Sequence, residues 1–168
     1  LKDASHEYRI MTSRGCPYHC SYCFNSYTLR LRGNEAIRQR SVDNVIAELL
    51  WAKKECAARR IMFVDDSFTT SKTWISAFCA RYRAEIGLPF ACVANPNYIH
   101  DGTAEALASA GCVNVQLGIQ SLSEQICAQV LDRKSSNAQI GRAIQHLKDN
   151  NIMVQVDHML GLPGDTVQ

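Results

Sequence analysis

Short apolar runs alternate with amphipathic segments along most of the chain, and this alternation predicts its secondary structure. Each apolar run has the length of a buried strand, and five strands are expected, over 8–12, 60–65, 90–94, 113–118 and 152–157. Between them, apolar residues recur at helical spacing, which predicts helices beginning near Ser41 and Ser71 and helices over 103–110 and 137–148. Strands that alternate with helices indicate a parallel sheet built of βαβ units.

Three local features refine this prediction. Ser121 and Glu124 have the spacing of a capping box, so we expect Ser121 to begin a further helix after the fourth strand. Residues 29–40 show no clear period and are predicted to form a polar connection. Trp51 and Trp74 lie on predicted helix faces, and we expect both in the core.

Polar clusters follow each of the five predicted strands, at 16–23, 65–68, 95–96, 120–121 and 157–164. Because the active sites of parallel barrels are built from the loops after the strands, we expect all five clusters on one rim. A doubly wound open sheet would also alternate strands and helices, but its first loop is normally glycine-rich, whereas here it carries thiols. The pattern therefore favours an α/β fold with a barrel-like arrangement.

Composition narrows the class of protein. The 168 residues are 46% apolar and 20% charged, which suits one globular domain with a real core. A formal charge of +2 with dispersed basic residues gives no nucleic-acid footprint. Apolar runs are far shorter than the roughly 20 residues that span a bilayer, so we expect no membrane crossing. The chain starts at Leu1 without a methionine and stops at Gln168, which suggests a piece of a longer protein.

The loop after the first strand carries the most informative chemistry. Cys16, Cys20 and Cys23 have the spacing C-x-x-x-C-x-x-C, and no fourth cysteine follows within thirty residues. Three thiolates can each bind one iron of a [4Fe-4S] cluster, since thiolate is the usual ligand of such clusters. The fourth iron then stays open and can chelate a small molecule as a Lewis acid. This spacing predicts chemistry at the cluster.

Other interpretations of the thiols remain open. A structural zinc site needs four ligands, and only His19 is near enough to complete a set with the loop cysteines. A non-catalytic iron-sulfur or zinc module would serve electron transfer or scaffolding, and a flavodoxin-like open sheet would make the cysteines incidental. Five further cysteines are scattered singly and are expected to be core or incidental residues: Cys56, Cys79, Cys92, Cys112 and Cys127. Unpaired thiols suit a reducing cytoplasm.

The cysteine loop, with aromatic Tyr22 just before its last cysteine, resembles the signature of the radical S-adenosylmethionine (radical SAM) enzymes. The resemblance runs from about residue 9 to residue 164. It implies that the open iron binds the amino and carboxylate groups of S-adenosylmethionine, and that an electron from the cluster cleaves this cofactor to a 5'-deoxyadenosyl radical. It also implies a partial (β/α)6 TIM-like barrel, with residues 1–168 forming a core domain truncated after about the fifth strand.

The resemblance assigns roles to residues after the second and fourth strands. Asp65, Asp66 and Ser67 occupy the position of a glycine-rich stretch in many members, whose carbonyls meet the methionine amino group. The alternative is a turn in which these side chains satisfy backbone donors. Gln120 occupies the position of a side chain that hydrogen-bonds the ribose hydroxyls. Arg133 resembles an arginine that pairs with the methionine carboxylate; the alternative is a solvated residue.

Two more residues are implied at the fifth strand. Asp157 matches an aspartate that contacts S-adenosylmethionine, and Gly161 lies in the turn Gly161-Leu162-Pro163-Gly164, where the backbone comes near the adenine in the family. Val93 departs from members that carry an acid at the third strand. His19 is expected to be exposed or near the site without acting as a ligand, and His158 could face a substrate.

The branch of the family stays open. Asp65-Asp66-Ser67-Phe68, together with Thr12-Ser13-Arg14-Gly15-Cys16-Pro17, resembles the cobalamin-dependent branch, whose cobalamin-binding domain would precede residue 1. Gln120 instead resembles the oxygen-independent coproporphyrinogen oxidases. Methyl transfer, ring formation and oxidative decarboxylation are therefore all candidate reactions. The implied partners are a small-molecule substrate of unknown type and a low-potential electron donor such as a flavodoxin or ferredoxin, in the cytoplasm.

Overall fold

A five-stranded parallel sheet covered by helices forms the chain, in a computed structural model that describes residues 6–32 and 37–165. In chain order, the elements are β1 (Glu7–Ile10), β2 (Ser13–Arg14), α1 (Phe24–Arg32), β3 (Arg38–Gln39), α2 (Val42–Glu55), β4 (Arg60–Phe63), α3 (Lys72–Glu85), β5 (Phe90–Ala94), a 3-10 turn (Pro96–Tyr98), α4 (Asp101–Ser109), β6 (Cys112–Gln120), α5 (Glu124–Gln129), α6 (Asn137–Asp149) and β7 (Met153–His158). All five predicted strands are present within a few residues of their expected bounds.

The strands of the main sheet follow one another in chain order. Their order is β1-β4-β5-β6-β7, and every neighbouring pair is parallel. Helices α2, α3, α4 and α6 contact one another in the same sequence. A flavodoxin-like open sheet would reverse its strand order at a switch point, so that alternative is wrong. The unreversed order is that of a section of a parallel barrel wall.

The hydrophobic core lies between this sheet and the helices. Phe63 of β4 is at its centre, with its ring centroid 4.5 Å from that of Phe68 and 5.3 Å from that of Phe90. Phe78 and Tyr82 of α3 pack on the same cluster and are fully buried. Burying such rings supplies a large part of the hydrophobic free energy of folding.

The opposite face of the sheet is more polar. Along β6, alternate residues such as Val115 and Leu117 are fully buried, whereas Gln116 and Gly118 point to the other side. Gly118 is in register with Asp157 of β7, so the two residues lie on the same face. The face away from the helices therefore carries polar side chains toward the carboxyl ends of the strands.

Residues 29–40 are not a featureless connection. The segment begins inside α1 and ends in β3, which pairs with β2 as a two-stranded antiparallel ribbon; 33–36 lie outside the described residues. The sequence prediction missed α1, although Phe24, Tyr27 and Leu31 recur at helical spacing. In the structure these three side chains are exposed, while Ser26 is buried. This helix has no apolar stripe directed at the core.

Two further expectations are wrong in detail. Ser121 does not begin a helix: β6 extends to Gln120, and Ser123 caps α5 by accepting from the backbone N–H of Ile126. The capping box of the described chain lies instead at Ser136 and Gln139, at the start of α6.

Trp51 is not in the core, because 53% of it is exposed and it packs edge-on against Tyr8. Trp74 does pack on the core and donates its indole N–H to the Arg40 carbonyl at 2.8 Å.

Of the five scattered cysteines, Cys56 alone is exposed and the other four are buried. Within the described residues, no helix is both long and apolar enough to cross a membrane.

Candidate functional site

A cavity of about 220 Å³ opens at the carboxyl ends of the strands, between the cysteine loop and the sheet. Nine of the ten residues predicted for the site line it: Cys16, Cys20, Tyr22, Cys23, Asp66, Ser67, Gln120, Arg133 and Asp157. They come from the loops after β2, β4 and α5 and from the ends of β6 and β7. These residues therefore lie together on one rim, as expected from the polar clusters. Their individual roles stay predictions.

The cysteine loop gives its three thiols different surroundings. Cys20 is 5% exposed, and Cys16 and Cys23 are half-buried. The loop closes tightly, since the Cys23 N–H donates to the Cys20 carbonyl at 3.0 Å. Burial raises the pKa of the Cys16 thiol, and the neighbouring thiols Cys20 and Cys23 add to the rise. A bound metal centre would offset this by accepting the thiolate charge.

Two sets of hydrogen bonds fix this loop to the segment between α5 and α6. Ser21 donates its backbone N–H to the Leu131 carbonyl at 2.9 Å and its hydroxyl to the Val130 carbonyl at 2.6 Å. The Asn97 side-chain amide donates to the Tyr18 hydroxyl at 3.0 Å and to the Lys134 carbonyl at 2.8 Å. Sequence reasoning missed Asn97; its only signal was its place next to the polar pair that follows the third strand.

Arg133 is a buried residue of the cavity wall, so the solvated alternative is wrong. It is 8% exposed, and its Nη2 donates to the Gly118 carbonyl. Its Nη1 lies 3.9 Å from the Cys20 sulfur, and its Nε has no hydrogen-bond partner among the described residues. A buried guanidinium with a free donor, beside a cavity, suits an anionic ligand such as a carboxylate.

Tyr22 lies next to this guanidinium. Burial raises the pKa of the Tyr22 phenol, while the positive charge of Arg133 opposes the rise. The phenol therefore stays protonated at neutral pH, because its ordinary pKa is already near 10. It adds an uncharged aromatic surface to the cavity wall.

The neighbouring acids Asp65 and Asp66 do different things. Asp65 is 2% exposed and accepts hydrogen bonds from the backbone N–H groups and the hydroxyls of Thr12 and Ser13. It holds the start of the cysteine loop, because its donors lie 52 and 53 residues away along the chain. Asp66 is exposed on the cavity and accepts from the Gly15 N–H at 2.9 Å.

Ser67 lines the cavity beside Asp66. It is 2% exposed, and its hydroxyl has no hydrogen-bond partner among the described residues. A buried hydroxyl without a partner loses its hydrogen bonds to water, so a bound ligand that pairs with it would recover free energy. This side chain therefore remains available to a ligand.

Gln120 ends β6 in an uncommon backbone conformation, with φ of 71°. Gly118 makes room for its side chain, because a Cβ there would lie 2.9 Å from the Gln120 Nε2. Asp157 is held by Gln116, whose Nε2 donates to the carboxylate at 2.7 Å. Gln116 was missed from the sequence, although its alternation with Gly118 along β6 places both on the same face.

Gly161 is the predicted site residue that the structure leaves off the cavity wall. Its φ is 72°, and the turn that follows is closed by hydrogen bonds between Leu162 and Asp165. A positive φ suits a glycine at this position, and its contact with the cofactor stays a prediction. His19 and His158 are both exposed.

The donor set fits a cluster of several irons. In the described part of the chain, no three His, Cys, Asp or Glu side chains group closely enough to hold a single metal ion. A [4Fe-4S] cluster makes a different demand, since each thiolate binds its own iron. Three thiols spread along one loop around a shared cavity meet that demand, and the Arg133 guanidinium adds a positive charge beside them.

The model of the Radical SAM superfamily matches residues 10–168. The chain belongs to the radical SAM superfamily. This confirms the family predicted from the cysteine loop. Radical SAM membership also accounts for the convergence of the three thiols with side chains from the strand ends.

Two proteins illustrate what the chain is similar to in sequence and in fold. The uncharacterized methyltransferase PH0819 of Pyrococcus horikoshii is 28% identical over 158 residues, covering 94% of this chain and 33% of that protein. A solved structure with a similar fold is that of the radical SAM methyltransferase TsrM from Kitasatospora setae, with cobalamin and a [4Fe-4S] cluster bound. It gives a TM-score of 0.77 at 21% identity, and the match covers 94% of this chain and 32% of that chain. The chain spans about a third of the length of the curated relatives it matches.

The cobalamin-dependent radical SAM enzyme OxsB has the same fold. It gives a TM-score of 0.78 at 20% identity, covering 90% of this chain and 23% of that chain. The prediction of a partial TIM-like barrel is therefore confirmed.

Proposed function

We propose that this radical SAM core binds a [4Fe-4S] cluster through Cys16, Cys20 and Cys23 and cleaves S-adenosylmethionine reductively. The observation that supports this proposal is that the three thiols and polar side chains from separate strand ends line the same cavity. When bound, the cluster would supply the electron for cleavage to a 5'-deoxyadenosyl radical, as in the family. The alternative, a non-catalytic iron-sulfur or zinc module, gives no reason for Arg133 to be buried in the same wall.

The side chains of the cavity would bind and orient S-adenosylmethionine. Arg133 would pair its free Nε with the methionine carboxylate, because a guanidinium matches a carboxylate in charge and geometry. Gln120 can both donate to and accept from the ribose hydroxyls. Asp66 and Ser67 would face the methionine amino group, and Asp157, held by Gln116, would contact the cofactor from β7.

We further propose methyl transfer on a cobalamin-dependent route as the leading reaction, with another radical modification as the alternative. The support is the description of the relatives: one is named a methyltransferase, and TsrM and OxsB are described with cobalamin. Cobalamin would be bound by residues outside this segment. The reductant would be a low-potential donor such as a flavodoxin or ferredoxin in the cytoplasm, and the substrate a small molecule.

Anaerobic reconstitution of the full-length gene product with iron and sulfide tests the proposal. Electron paramagnetic resonance of the reduced protein should give a [4Fe-4S] signal that shifts when S-adenosylmethionine is added. Cys20→Ala should abolish that signal. Cys56→Ala, which removes an exposed cysteine outside the loop, should keep it. A cluster signal indifferent to S-adenosylmethionine would contradict the proposal and favour a closed electron-transfer centre.

A further inference from the structure

A second cavity, of about 390 Å³, lies beside the β2-β3 ribbon. Its volume is within the range of small-molecule sites. We name it the ribbon groove, and its described wall is formed by Met11, Ser13, Arg14, Arg38, Gln39 and Arg40. Among the described residues, this wall contains three arginines and no acidic side chain, so it is suited to an anion.

Two of the three arginines keep their charge available. Arg40 is neutralised, because its guanidinium pairs with Glu48 and also donates to Asn44. Arg14 and Arg38 are exposed, and neither forms an ion pair within the described residues. In the part of the chain that the structure describes, the groove therefore presents two guanidinium groups that form no ion pair.

The ribbon sets these two residues directly opposite each other. Arg14 and Arg38 are partners in the antiparallel register, so their side chains leave the same face as cross-strand neighbours. Like charges in such a pair destabilise a ribbon, and strands of two residues have few hydrogen bonds to offset that cost. An anion between the two guanidinium groups would turn the repulsion into attraction.

The backbone around both arginines is fixed. Gly15, after Arg14, donates its N–H to Asp66, and Ser13, before it, is bound to Asp65. On the other strand, Arg40 donates its N–H to the Thr12 carbonyl at 2.8 Å. The two arginines therefore leave a ribbon that is already ordered, which lowers the entropy cost of binding a ligand.

We propose that the ribbon groove binds a phosphoryl group. Phosphoryl oxygens can accept from two guanidinium groups at once, and a terminal phosphoryl group also carries nearly two negative charges, whereas a phosphodiester carries one. Arg14 is two residues before Cys16, so a ligand held in the groove can extend toward the cluster cavity. The phosphoryl group would belong to the substrate or to a phosphodiester-containing second cofactor such as cobalamin.

Titration calorimetry of the full-length gene product with inorganic pyrophosphate tests the groove without any turnover. Wild-type protein should bind, and Arg14→Gln and Arg38→Gln should each weaken binding by about tenfold, the loss expected for one charge-assisted contact. Arg142→Gln is the matched control, because it removes the same charge from an exposed position on α6 outside the groove. Melting temperatures of Arg14→Gln and Arg38→Gln should be equal to or slightly above that of the wild type, because each variant removes the like-charge repulsion in the ribbon. The melting temperature of Arg142→Gln should stay unchanged, since its side chain is exposed.

Two further measurements complete the test. The first distinguishes the two sources of the phosphoryl group, and the second separates this proposal from the proposed cluster chemistry. If Arg14→Gln and Arg38→Gln also lose retention of hydroxocobalamin on gel filtration, the group belongs to that cofactor; unchanged retention assigns it to the substrate. Cys20→Ala should still bind pyrophosphate, because the groove is independent of the cluster. Absence of pyrophosphate binding to wild type, or equal binding by all three arginine variants, would overturn the proposal.

Discussion

Asn97 holds the Tyr18 hydroxyl of the cysteine loop through its side-chain amide, at 3.0 Å. The same amide donates to the Lys134 carbonyl at 2.8 Å, one residue beyond Arg133. The three predicted cluster ligands and the buried guanidinium therefore share one support, although they lie more than one hundred residues apart in the chain. Asn97 is a positioning residue of the site, since its contacts are to the loops that carry the functional groups.

Asn97→Ala should loosen the cysteine loop without unfolding the protein. Losing the bonds to Tyr18 and Lys134 removes about 1 kcal/mol each, so we expect iron release to a chelator to become roughly tenfold faster. Stopped-flow bleaching of the reconstituted protein measures that rate. Tyr18→Phe, which removes only the hydroxyl, should give a smaller change of the same sign.

Tyr27→Phe is the control for this loop, because it removes an exposed tyrosine hydroxyl from the helix just beyond the last cysteine. Its rate of iron release should equal that of the wild type. Equal rates in Asn97→Ala and wild type would show that the amide does not position the loop.

Asp65→Asn should lower the free energy of unfolding by about 2 to 3 kcal/mol, the scale for hydrogen bonds to a buried charged acceptor. The amide offers only one acceptor oxygen and directs N–H groups at the donors of Thr12 and Ser13. Urea unfolding followed by circular dichroism measures the change. Asp66→Asn is the matched control: its side chain is exposed, so its stability should fall by less than about 1 kcal/mol. Similar losses of unfolding free energy in both variants would contradict a structural role for Asp65 that Asp66 does not share.

The main sheet could be predicted from the sequence because its strands bury one side in a single core. Phe63, Phe90 and Leu117 come from short apolar runs that have the length of a buried strand. Helix α1 was not predicted, because its stripe of Phe24, Tyr27 and Leu31 is short, and this stripe faces solvent instead of the core. The ribbon could not be predicted either, since strands of two residues are too short to show any alternation.

The site could be predicted as a set of residues, but not in its internal arrangement. Adjacent Asp65 and Asp66 have the same chemistry, and only the position of the chain after β4 decides which one is buried. Arg133 follows a short helix and precedes a basic residue, a pattern typical of the surface. Its burial results from contact with Cys20, which is 113 residues away, and local sequence does not encode that contact.

Arg133→Gln should weaken binding of S-adenosylmethionine by about tenfold to a hundredfold, because the variant removes the charge that pairs with a carboxylate. The measurement is the concentration of S-adenosylmethionine that half-saturates the shift of the cluster's paramagnetic signal. Iron content should be measured alongside, since Nη1 lies near the Cys20 sulfur. Arg133→Lys should restore binding only in part, because an ammonium group cannot make a bidentate contact.

Arg142→Gln on α6 should leave half-saturation unchanged. If Arg133→Gln also left it unchanged while iron content stayed full, Arg133 would have no role in binding the cofactor. The buried guanidinium would then serve only to donate a hydrogen bond to the Gly118 carbonyl.

Gly118→Ala tests the predicted ribose contact of Gln120 without touching that residue. The added Cβ would lie 2.9 Å from the Gln120 Nε2 and 3.9 Å from the Arg133 Nη2. Because the clash is with the end of a side chain, the protein should fold while the amide moves out of position. We expect about tenfold weaker binding of S-adenosylmethionine, the scale of one or two lost hydrogen bonds. Gly102→Ala, at a helical position with no atom within 4 Å of the new Cβ, should bind as wild type does. Equal affinity in the two variants would mean that the position of Gln120 does not matter for the cofactor.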